Sequence, residues 1–175
     1  MSDRGKRNAR EKVVSLPELL DWADGFRDAG KRVVFTNGVF DLLHTGHLRL
    51  LESAARLGDG LIVAINRDRS VRKLKGPSRP LVPFRQRAAL VAGFEMVDRV
   101  IGFSGETPIE LIELVRPAVL AKGGDWPVER IVGREVVESY GGTVVSLPLI
   151  PGRSTTDVVE RIRTAVRTNR TPGDG

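Results

Sequence analysis

The sequence alternates short apolar runs with longer segments of helical periodicity, and few architectures accommodate that alternation. The apolar runs lie at 32–36, 61–65, 99–103, 119–122 and 143–147, each bounded by glycine, proline or charged residues. Runs that are apolar throughout, rather than at every second position, are typical of strands covered on both faces. Strands that alternate with helices form a mainly parallel sheet wrapped by helices. The sequence therefore predicts an α/β fold with a Rossmann-like parallel sheet flanked by helices.

Length and composition indicate one globular domain. The chain has 175 residues, of which 41% are hydrophobic and 29% are charged, and both fractions are those of a folded protein. We expect a flexible basic leader over residues 1–12, a single domain over 13–167 and a flexible polar tail over 168–175. The absence of cysteine excludes disulfides, thiolate zinc sites and cysteine nucleophiles. No apolar run reaches the length that spans a bilayer, so we expect a cytoplasmic protein without a membrane partner.

The charge of the chain indicates an anionic partner. The formal net charge is +6, which attracts RNA, acidic membrane surfaces and phosphorylated small molecules alike. The chain has one tyrosine and no aromatic stripe among its basic residues, whereas proteins that bind single strands stack bases on aromatic side chains. Nucleic acid is therefore disfavoured, and a phosphorylated small molecule is the preferred interpretation.

The first predicted strand runs directly into the segment TNGVFDLLHTGH, residues 36–47. Ligands of open α/β sheets bind outside the carboxyl ends of the strands, so this strand-to-helix turn is the first candidate site. Gly38 and Gly46 allow a ligand to approach the backbone, and the following helix presents free N–H groups to an anion. His44 and His47 are three residues apart and can donate hydrogen bonds to the same phosphate cluster. The motif therefore predicts a phosphate clamp.

The histidine pair has two alternative interpretations. Histidines one turn apart can bind zinc, or they can be surface or capping residues. These are, however, the only two histidines in the chain, both lie near glycines at a predicted strand end, and no third metal ligand is close in sequence. We therefore favour the phosphate clamp and predict no metal-binding residues.

A long polar loop predicted at 73–83 is rich in cations. It carries Lys73, Lys75 and Arg79, and Arg87 follows near the start of the next predicted helix. Such a cluster can neutralise a triphosphate and its leaving group, although a run of charge is more often a solvated face. The length and polarity of the loop are compatible with a flap over a ligand.

Two later segments carry glycine or hydroxyl-bearing residues directly beside a predicted strand or helix. KGGDW at 122–126 follows a predicted strand, and it permits either a tight turn or close approach of a base or sugar to its aromatic side chain. GRSTTD at 152–157 begins the last predicted helix. Its hydroxyl groups can cap that helix, bind phosphate, or do both.

The order of these motifs is similar to that of a known family. GVFDLLHTGH resembles the H-x-G-H signature of the cytidylyltransferase-like nucleotidyltransferases, and the chain is more closely similar to the branch that activates heptose 1-phosphate as ADP-heptose. The resemblance extends from about residue 33 to 163 through TNGVFDLLHTGH, LKGPSRPLVPFRQR, AKGGDW and GRSTTDVV. It implies a Rossmann-like domain of the H-x-G-H type that transfers a nucleoside monophosphate.

The resemblance also implies roles for individual residues. It makes His44, His47 and Lys75 catalytic, with the histidines contacting the triphosphate and the transition state. The residues that it assigns to nucleotide binding are Asn37, Gly38, Val39, Phe40, Asp41, Gly46, Arg79, Arg87, Lys122, Gly123, Gly124, Asp125, Trp126, Ser154, Thr155 and Thr156. Two of these have competing interpretations, since Phe40 is equally suited to core packing, and Asp41 either orients His44 or caps the following helix.

The reaction implied by the resemblance joins AMP from ATP to a sugar 1-phosphate, D-glycero-β-D-manno-heptose 1-phosphate, and releases pyrophosphate. Mg²⁺ is expected to be carried by the nucleotide phosphates. Related heptose enzymes often include a fused sugar kinase, for which this chain is too short, so a separate sugar kinase is implied as pathway neighbour. Family members are often oligomeric, which suggests a homodimer.

Other assignments remain open at the level of sequence. The chain could be a cytidylyltransferase or another adenylyltransferase with a different acceptor, such as glycerol 3-phosphate, or a non-catalytic module that binds nucleotides or RNA. Glycerol-phosphate cytidylyltransferases have RTEGISTT and MGDDW where this chain has LIPGRSTT and KGGDW. These departures favour the heptose branch over cytidine.

Overall fold

The structure, a computed structural model, describes residues 8–124, 126–148 and 155–168. Its five strands are β1 Val33–Gly38, β2 Gly60–Asn66, β3 Arg99–Phe103, β4 Val119–Gly123 and β5 Thr143–Leu147. Its seven α-helices are α1 Leu16–Asp28, α2 Thr45–Ala55, α3 Asp68–Lys75, α4 Phe84–Ala92, α5 Ile109–Val115, α6 Arg134–Ser139 and α7 Thr155–Thr168. Short 3₁₀ helices span Ala9–Lys12 and Val128–Arg130.

All five strands pair in parallel, in the order β3-β2-β1-β4-β5. Each strand coincides with a predicted apolar run to within two residues at either end. The predicted α/β fold, a Rossmann-like parallel sheet flanked by helices, is therefore confirmed. The strand order changes direction at β1, whose neighbours are β2 and β4, and a crevice for a ligand is expected at the carboxyl end of such a switch point.

Two apolar layers bury the faces of the sheet. On one face Phe35 packs with the inner sides of α1, α5 and α6, and on the other Val34 packs with the inner sides of α2 and α4. Consecutive residues of a strand point to opposite faces, which is why Val34 and Phe35 belong to different layers. Burial on both faces accounts for strands that are apolar throughout rather than alternating.

The beginning of the chain differs in part from the prediction. Residues 9–12, expected to belong to a flexible leader, form a 3₁₀ helix, and the Lys12 ammonium donates to the Phe94 carbonyl at 3.0 Å. A capping box begins α1, where the Glu18 carboxylate accepts from the N–H and the hydroxyl of Ser15 at 2.7 Å each. Residues 1–7 and 169–175 lie outside the described residues.

The predicted loop at 73–83 is wrong at its beginning. Lys73 and Lys75 lie in the last turn of α3, where their charges offset the negative end of the helix dipole, and Asp68 occupies its first turn. Gly76 ends the helix with a φ of 92°. The loop therefore spans only residues 76–83.

No helix within the described ranges is long and apolar enough to cross a membrane.

Candidate active site

A cleft of about 550 Å³ opens at the carboxyl ends of β1, β2 and β4, a volume suited to a small ligand. The predicted site residues that line it are Asn37, Gly38, Val39, Phe40, Asp41, His47, Lys75, Arg79, Lys122 and Trp126. Three lining residues were not predicted, namely Asn66, Leu74 and Glu106. The cleft occupies the switch point of the sheet, as expected for a ligand site in an open α/β fold.

The two histidines are fixed by the first turn of α2. His44 is the N-cap residue, and its Nδ1 accepts the N–H of Gly46 at 3.1 Å. Nδ1 of His47 accepts the N–H of His44 at 3.4 Å, and the two ring centroids are 3.9 Å apart. A neutral ring whose Nδ1 accepts a hydrogen bond carries its proton on Nε2. Both rings are therefore held as Nε2–H donors. The capping interpretation of His44 is correct for its Nδ1.

Burial and the neighbouring His44 lower the pKa of His47 to about 4. Burial is the larger cause, because an imidazolium ion loses hydration in the partly closed cleft. His47 is consequently neutral near pH 7 and meets a phosphate as a hydrogen-bond donor rather than as a cation.

The lowered pKa of His47 predicts that the chain loses stability in mild acid. Its pKa falls from 6.5 to about 4 on folding, so the unfolded state alone binds a proton between these values. We expect the loss to begin as the pH drops below 6.5 and to reach roughly 3 kcal/mol below pH 4. Chemical denaturation of the wild type and of His47→Gln from pH 7.5 to 4.5 measures it. A difference between the two proteins that does not change with pH would contradict this assignment.

Phe40 joins the core to the cleft. Its side chain is only 3% exposed and packs in the layer beneath α2, and its ring centroid lies 5.1 Å from that of His47. Both interpretations of Phe40 from the sequence are thus compatible with its position. Its φ of 51° is unusual for a bulky residue. Gly38 permits this arrangement, because a Cβ there would stand 3.0 Å from the Phe40 ring.

Asp41 anchors the loop at 76–83, and both roles predicted for it are wrong in the described structure. Its carboxylate accepts from the Arg79 guanidinium at 2.6 Å and from the N–H groups of Leu81 and Val82 at 2.8 and 2.9 Å. The N-cap of α2 is instead His44. Burial opposes ionisation of Asp41 most strongly, but the hydrogen bonds together hold its pKa below the usual value. The loop therefore closes one side of the cleft through a buried carboxylate.

Arg87 lies behind the wall of the cleft rather than in it. Its side chain is fully buried and donates to the carbonyls of Val39, Asn66 and Val82 and to the carboxylate of Asp68. These partners belong to the segments that follow β1 and β2 and to the loop before α4. Arg87 thus holds three segments of the site together, and none of its described hydrogen bonds is directed into the cleft.

Lys122 brings a half-buried cation to the β4 side of the cleft. Its Nζ donates to the side-chain and main-chain oxygens of Asn37 at 3.2 and 3.4 Å. Burial lowers the pKa of Lys122, and within the described part of the chain its ammonium forms no ion pair. A cation held in this way by neutral oxygens favours binding of an anion.

Gly124, directly after β4, lies against the indole ring of Trp126. Gly124 has a φ of 130°, and a Cβ at this position would collide with the indole ring. The indole is 53% exposed and lines the cleft, which leaves it available for stacking. A Cβ at Gly123 would stand 2.9 Å from the terminal methyl groups of Leu50, so the Leu50 side chain would have to shift. The expectation that this segment presents an apolar surface to the site is compatible with its geometry.

The remaining predicted residues are less fully described. Lys75 is exposed at the end of α3 and lines the cleft, whereas Gly46 is buried in the first turn of α2. Thr155 and Thr156 begin α7. Asp125, Ser154 and the side chains of Thr155 and Thr156 lie outside the description, and their roles stay predictions.

Asn66 could have been found from the sequence. It is the polar residue that ends the second apolar run, as Asn37 ends the first, and the carboxyl ends of neighbouring parallel strands meet at one edge of a sheet. Glu106 gives no such signal, since it lies in a loop after β3 whose path is set by tertiary contacts.

No group of three or more His, Cys, Asp or Glu side chains suited to a metal ion occurs in the described ranges.

Sequence comparison found relatives in which about half of the aligned residues are identical to those of this chain. A bifunctional protein HldE of Syntrophotalea carbinolica is 53% identical over 151 residues, which cover 86% of this chain and 31% of that protein. A bifunctional protein HldE of Geotalea uraniireducens is 49% identical over 153 residues, 87% of this chain and 31% of that protein. The chain thus spans about a third of the length of these relatives.

A solved structure and a family match agree with the sequence relatives. A crystal structure described as the lipopolysaccharide core biosynthesis protein from Thermoplasma volcanium GSS1 matches with a TM-score of 0.56 and 29% identity, covering 69% of this chain and 98% of that one. The cytidylyltransferase-like family matches residues 35–161. That range includes β1 to β5, the histidine motif and the loop at 76–83. The predicted resemblance and the predicted enzyme class, a nucleotidyltransferase, are confirmed, and the chain belongs to the cytidylyltransferase-like family.

Proposed function

We propose that this chain is an adenylyltransferase that joins AMP from ATP to D-glycero-β-D-manno-heptose 1-phosphate and releases pyrophosphate. The observation that carries the proposal is the histidine pair, whose Nδ1 atoms are both engaged by backbone N–H groups and whose member His47 lines a cleft that also holds Lys75, Arg79 and Lys122. The choice of ATP and of a heptose acceptor is supported by the four ordered motifs and by the similarity to the HldE proteins.

In the proposed reaction an oxygen of the sugar 1-phosphate attacks the α-phosphorus of ATP. A new P–O bond forms as the bond from the α-phosphorus to the oxygen bridging the β-phosphate breaks, and pyrophosphate leaves with the electron pair. Negative charge on the non-bridging oxygens is then met by the Nε2–H groups of His44 and His47. Donors that are already oriented stabilise this charge without reorganisation.

Three cations complement the neutral histidines. Arg79 is partly neutralised by Asp41, whereas Lys75 and Lys122 form no ion pair within the described residues. Lys75 on α3 and Lys122 on β4 approach the cleft from different sides. We assign these two lysines to the triphosphate, where their charges offset the charge of the leaving group.

ATP is expected to act as its Mg²⁺ complex. Mg²⁺ usually keeps water and substrate phosphate oxygens as ligands, and the described residues of the cleft form no cluster of acidic and histidine side chains that would replace them. The donor set therefore fits an ion that arrives on the triphosphate, where it reduces the negative charge of the nucleotide.

Pyrophosphate release by the purified chain tests the proposal. ATP, CTP and GTP are each supplied with Mg²⁺ and with heptose 1-phosphate, D-mannose 1-phosphate or glycerol 3-phosphate. We expect ATP with heptose 1-phosphate to exceed every other pair by about 100-fold or more in kcat/KM, because a site that hydrogen-bonds specific substrate groups rejects analogues without them. The His47→Ala variant, which has no donor at this position, serves as the inactive control.

Two other results would redirect the assignment. Turnover of CTP with glycerol 3-phosphate would indicate a cytidylyltransferase and would retain the histidine mechanism. No release from any pair by a folded protein, together with RNA affinity that falls steeply with salt, would indicate a non-catalytic binding module.

A further inference from the structure

Two oxygen acceptors line the cleft on the side of β2 and β3. Asn66 ends β2, Glu106 lies in the loop after β3, and both line the cleft. In the strand order β3-β2-β1-β4-β5 these residues lie on one side of β1, whereas Lys122 and Trp126 lie on the side of β4. The acceptor oxygens of Asn66 and Glu106 therefore lie across β1 from Lys122 and Trp126.

The orientation of the Asn66 amide is fixed by Ser70. The Ser70 hydroxyl donates its hydrogen to the Gly105 carbonyl at 2.8 Å, so the group that faces the hydroxyl from Asn66 must be a donor. That group is Nδ2, at 3.0 Å from Ser70 Oγ. The amide oxygen of Asn66 must therefore point away from Ser70.

The amide oxygen of Asn66 is available to a ligand. The side chain is only 4% exposed, yet it lines the cleft, and no donor to Oδ1 occurs among the described hydrogen bonds. The main-chain carbonyl of Asn66 is already engaged by Arg87 at 2.8 Å. The residue is thus held at both its backbone and its amide nitrogen, and a single acceptor faces the cleft.

The loop that carries Glu106 is held close to the same position. The Phe103 carbonyl accepts the N–H of Arg67 at 2.8 Å, and the Gly105 carbonyl accepts from Ser70. These two bonds join the end of β3 to the start of α3. They bring an exposed carboxylate to the wall that Asn66 occupies.

We propose that Asn66 and Glu106 form a subsite that reads the hydroxyl groups of the acceptor, with Asn66 Oδ1 as its fixed element and Ser70 as its positioning residue. An amide oxygen and a carboxylate accept hydrogen bonds from hydroxyls and disfavour a phosphate. Lys122 attracts phosphate on the β4 side of the cleft, so a molecule with a phosphate at one end and hydroxyls at the other is oriented by this lysine and by the subsite. The inference rests on the proposed function insofar as the acceptor is a sugar phosphate.

Equilibrium binding tests the subsite without requiring turnover. D-mannose 1-phosphate and methyl phosphate share the phosphate and differ in the hydroxyl groups, and each is titrated by calorimetry into protein saturated with a non-hydrolysable ATP analogue. We expect the wild type to prefer mannose 1-phosphate by about 10-fold or more, and Asn66→Ala to lose most of that preference, since one hydrogen bond in a closed site contributes a factor of this order. Affinity for methyl phosphate should stay within about twofold in the variant.

Variants with matched controls separate recognition from folding. Ser70→Ala releases the amide, so we expect a partial loss of the preference, whereas Ser139→Ala removes a serine hydroxyl on α6 and should change nothing. Glu106→Ala should reduce the preference, and Glu110→Ala, which removes an exposed carboxylate outside the cleft, should not. Because Glu106 is exposed, its variant tests the subsite even if Asn66→Ala fails to fold.

The outcomes distinguish this subsite from the proposed reaction. Equal affinity of the wild type for the two phosphates, or an unchanged preference in both folded Asn66→Ala and Glu106→Ala, overturns the subsite whatever the turnover assay gives. A preference that collapses in these variants supports the subsite even if pyrophosphate is released with another sugar phosphate or with CTP, results that would correct the proposed function alone.

Discussion

Replacement of His47 by alanine is expected to lower kcat by about 1,000-fold while the protein stays folded. One pre-oriented donor to developing negative charge contributes a factor of this order, and His47 is neutral in the free protein because burial lowers its pKa to about 4. Alanine is a good helix former at this position in the first turn of α2. We therefore expect the free energy of unfolding at pH 7.5 to change by less than about 1.5 kcal/mol.

At His44, capping of α2 and donation to phosphate can be tested separately, because they use different nitrogens of the ring. Nδ1 caps α2 by accepting the Gly46 N–H at 3.1 Å, and Nε2–H is the proposed donor to phosphate. Asparagine can replace the first function but places no donor where Nε2 lies. His44→Asn should thus retain stability and lose turnover, whereas His44→Ala should lose turnover and also about 1 kcal/mol of stability.

The measurements are single-turnover rates and denaturant unfolding for the three histidine variants. KM for ATP should change much less than kcat, since an interaction that strengthens in the transition state appears mainly in kcat. Turnover by folded His47→Ala or His44→Asn within about tenfold of the wild type would contradict the proposed mechanism.

The strands and the position of the site could be predicted because local sequence determines them. An apolar run bounded by glycine and charge has few alternatives to a buried strand, and a strand end followed by a glycine-rich turn is where an α/β sheet binds ligands. The histidine pair follows the same logic, because its members are three residues apart on one helix entrance. Nothing beyond neighbouring residues is needed for these inferences.

The partners of Asp41 could not be predicted because they depend on tertiary structure. Arg79 lies 38 residues away, and the hydrogen bonds to Leu81 and Val82 span 40 and 41 residues. An aspartate three residues before a histidine at a helix start suggests a local bond, and that local choice was overridden by a loop with two free N–H groups and a guanidinium. Buried polar groups take whichever partners satisfy them most completely.

The position of Arg87 also depends on tertiary structure and could not be predicted from the sequence. In the sequence it is one of several cations around a polar loop, which suggests an exposed residue that binds phosphate. In the structure it is fully buried, and its four described partners lie 5 to 48 residues away. Counting cations in the sequence cannot separate a ligand-binding arginine from one that connects loops, since burial decides between them.

Replacement of Arg87 by methionine is therefore expected to destabilise the protein by about 3–5 kcal/mol, because a fully buried guanidinium satisfies three carbonyls and pairs with the partly exposed carboxylate of Asp68. The change leaves the carboxylate of Asp68 and the carbonyls of Val39, Asn66 and Val82 without their donor. Arg87→Lys should recover less than about half of the loss, because one ammonium cannot reach acceptors that a planar guanidinium spans.

Arg85→Met on the same helix is the matched control, since Arg85 is exposed and its loss should change stability by less than about 0.5 kcal/mol. Denaturant unfolding of the three variants measures the difference, and failure of Arg87→Met to fold agrees with it. A folded Arg87→Met within about 1 kcal/mol of the wild type would mean that the segments after β1 and β2 keep their positions without the guanidinium. If instead stability falls as expected, the cleft depends on a buried charge that does not line it, because the same arginine holds the backbone of Asn66 and of Val39, two residues that do.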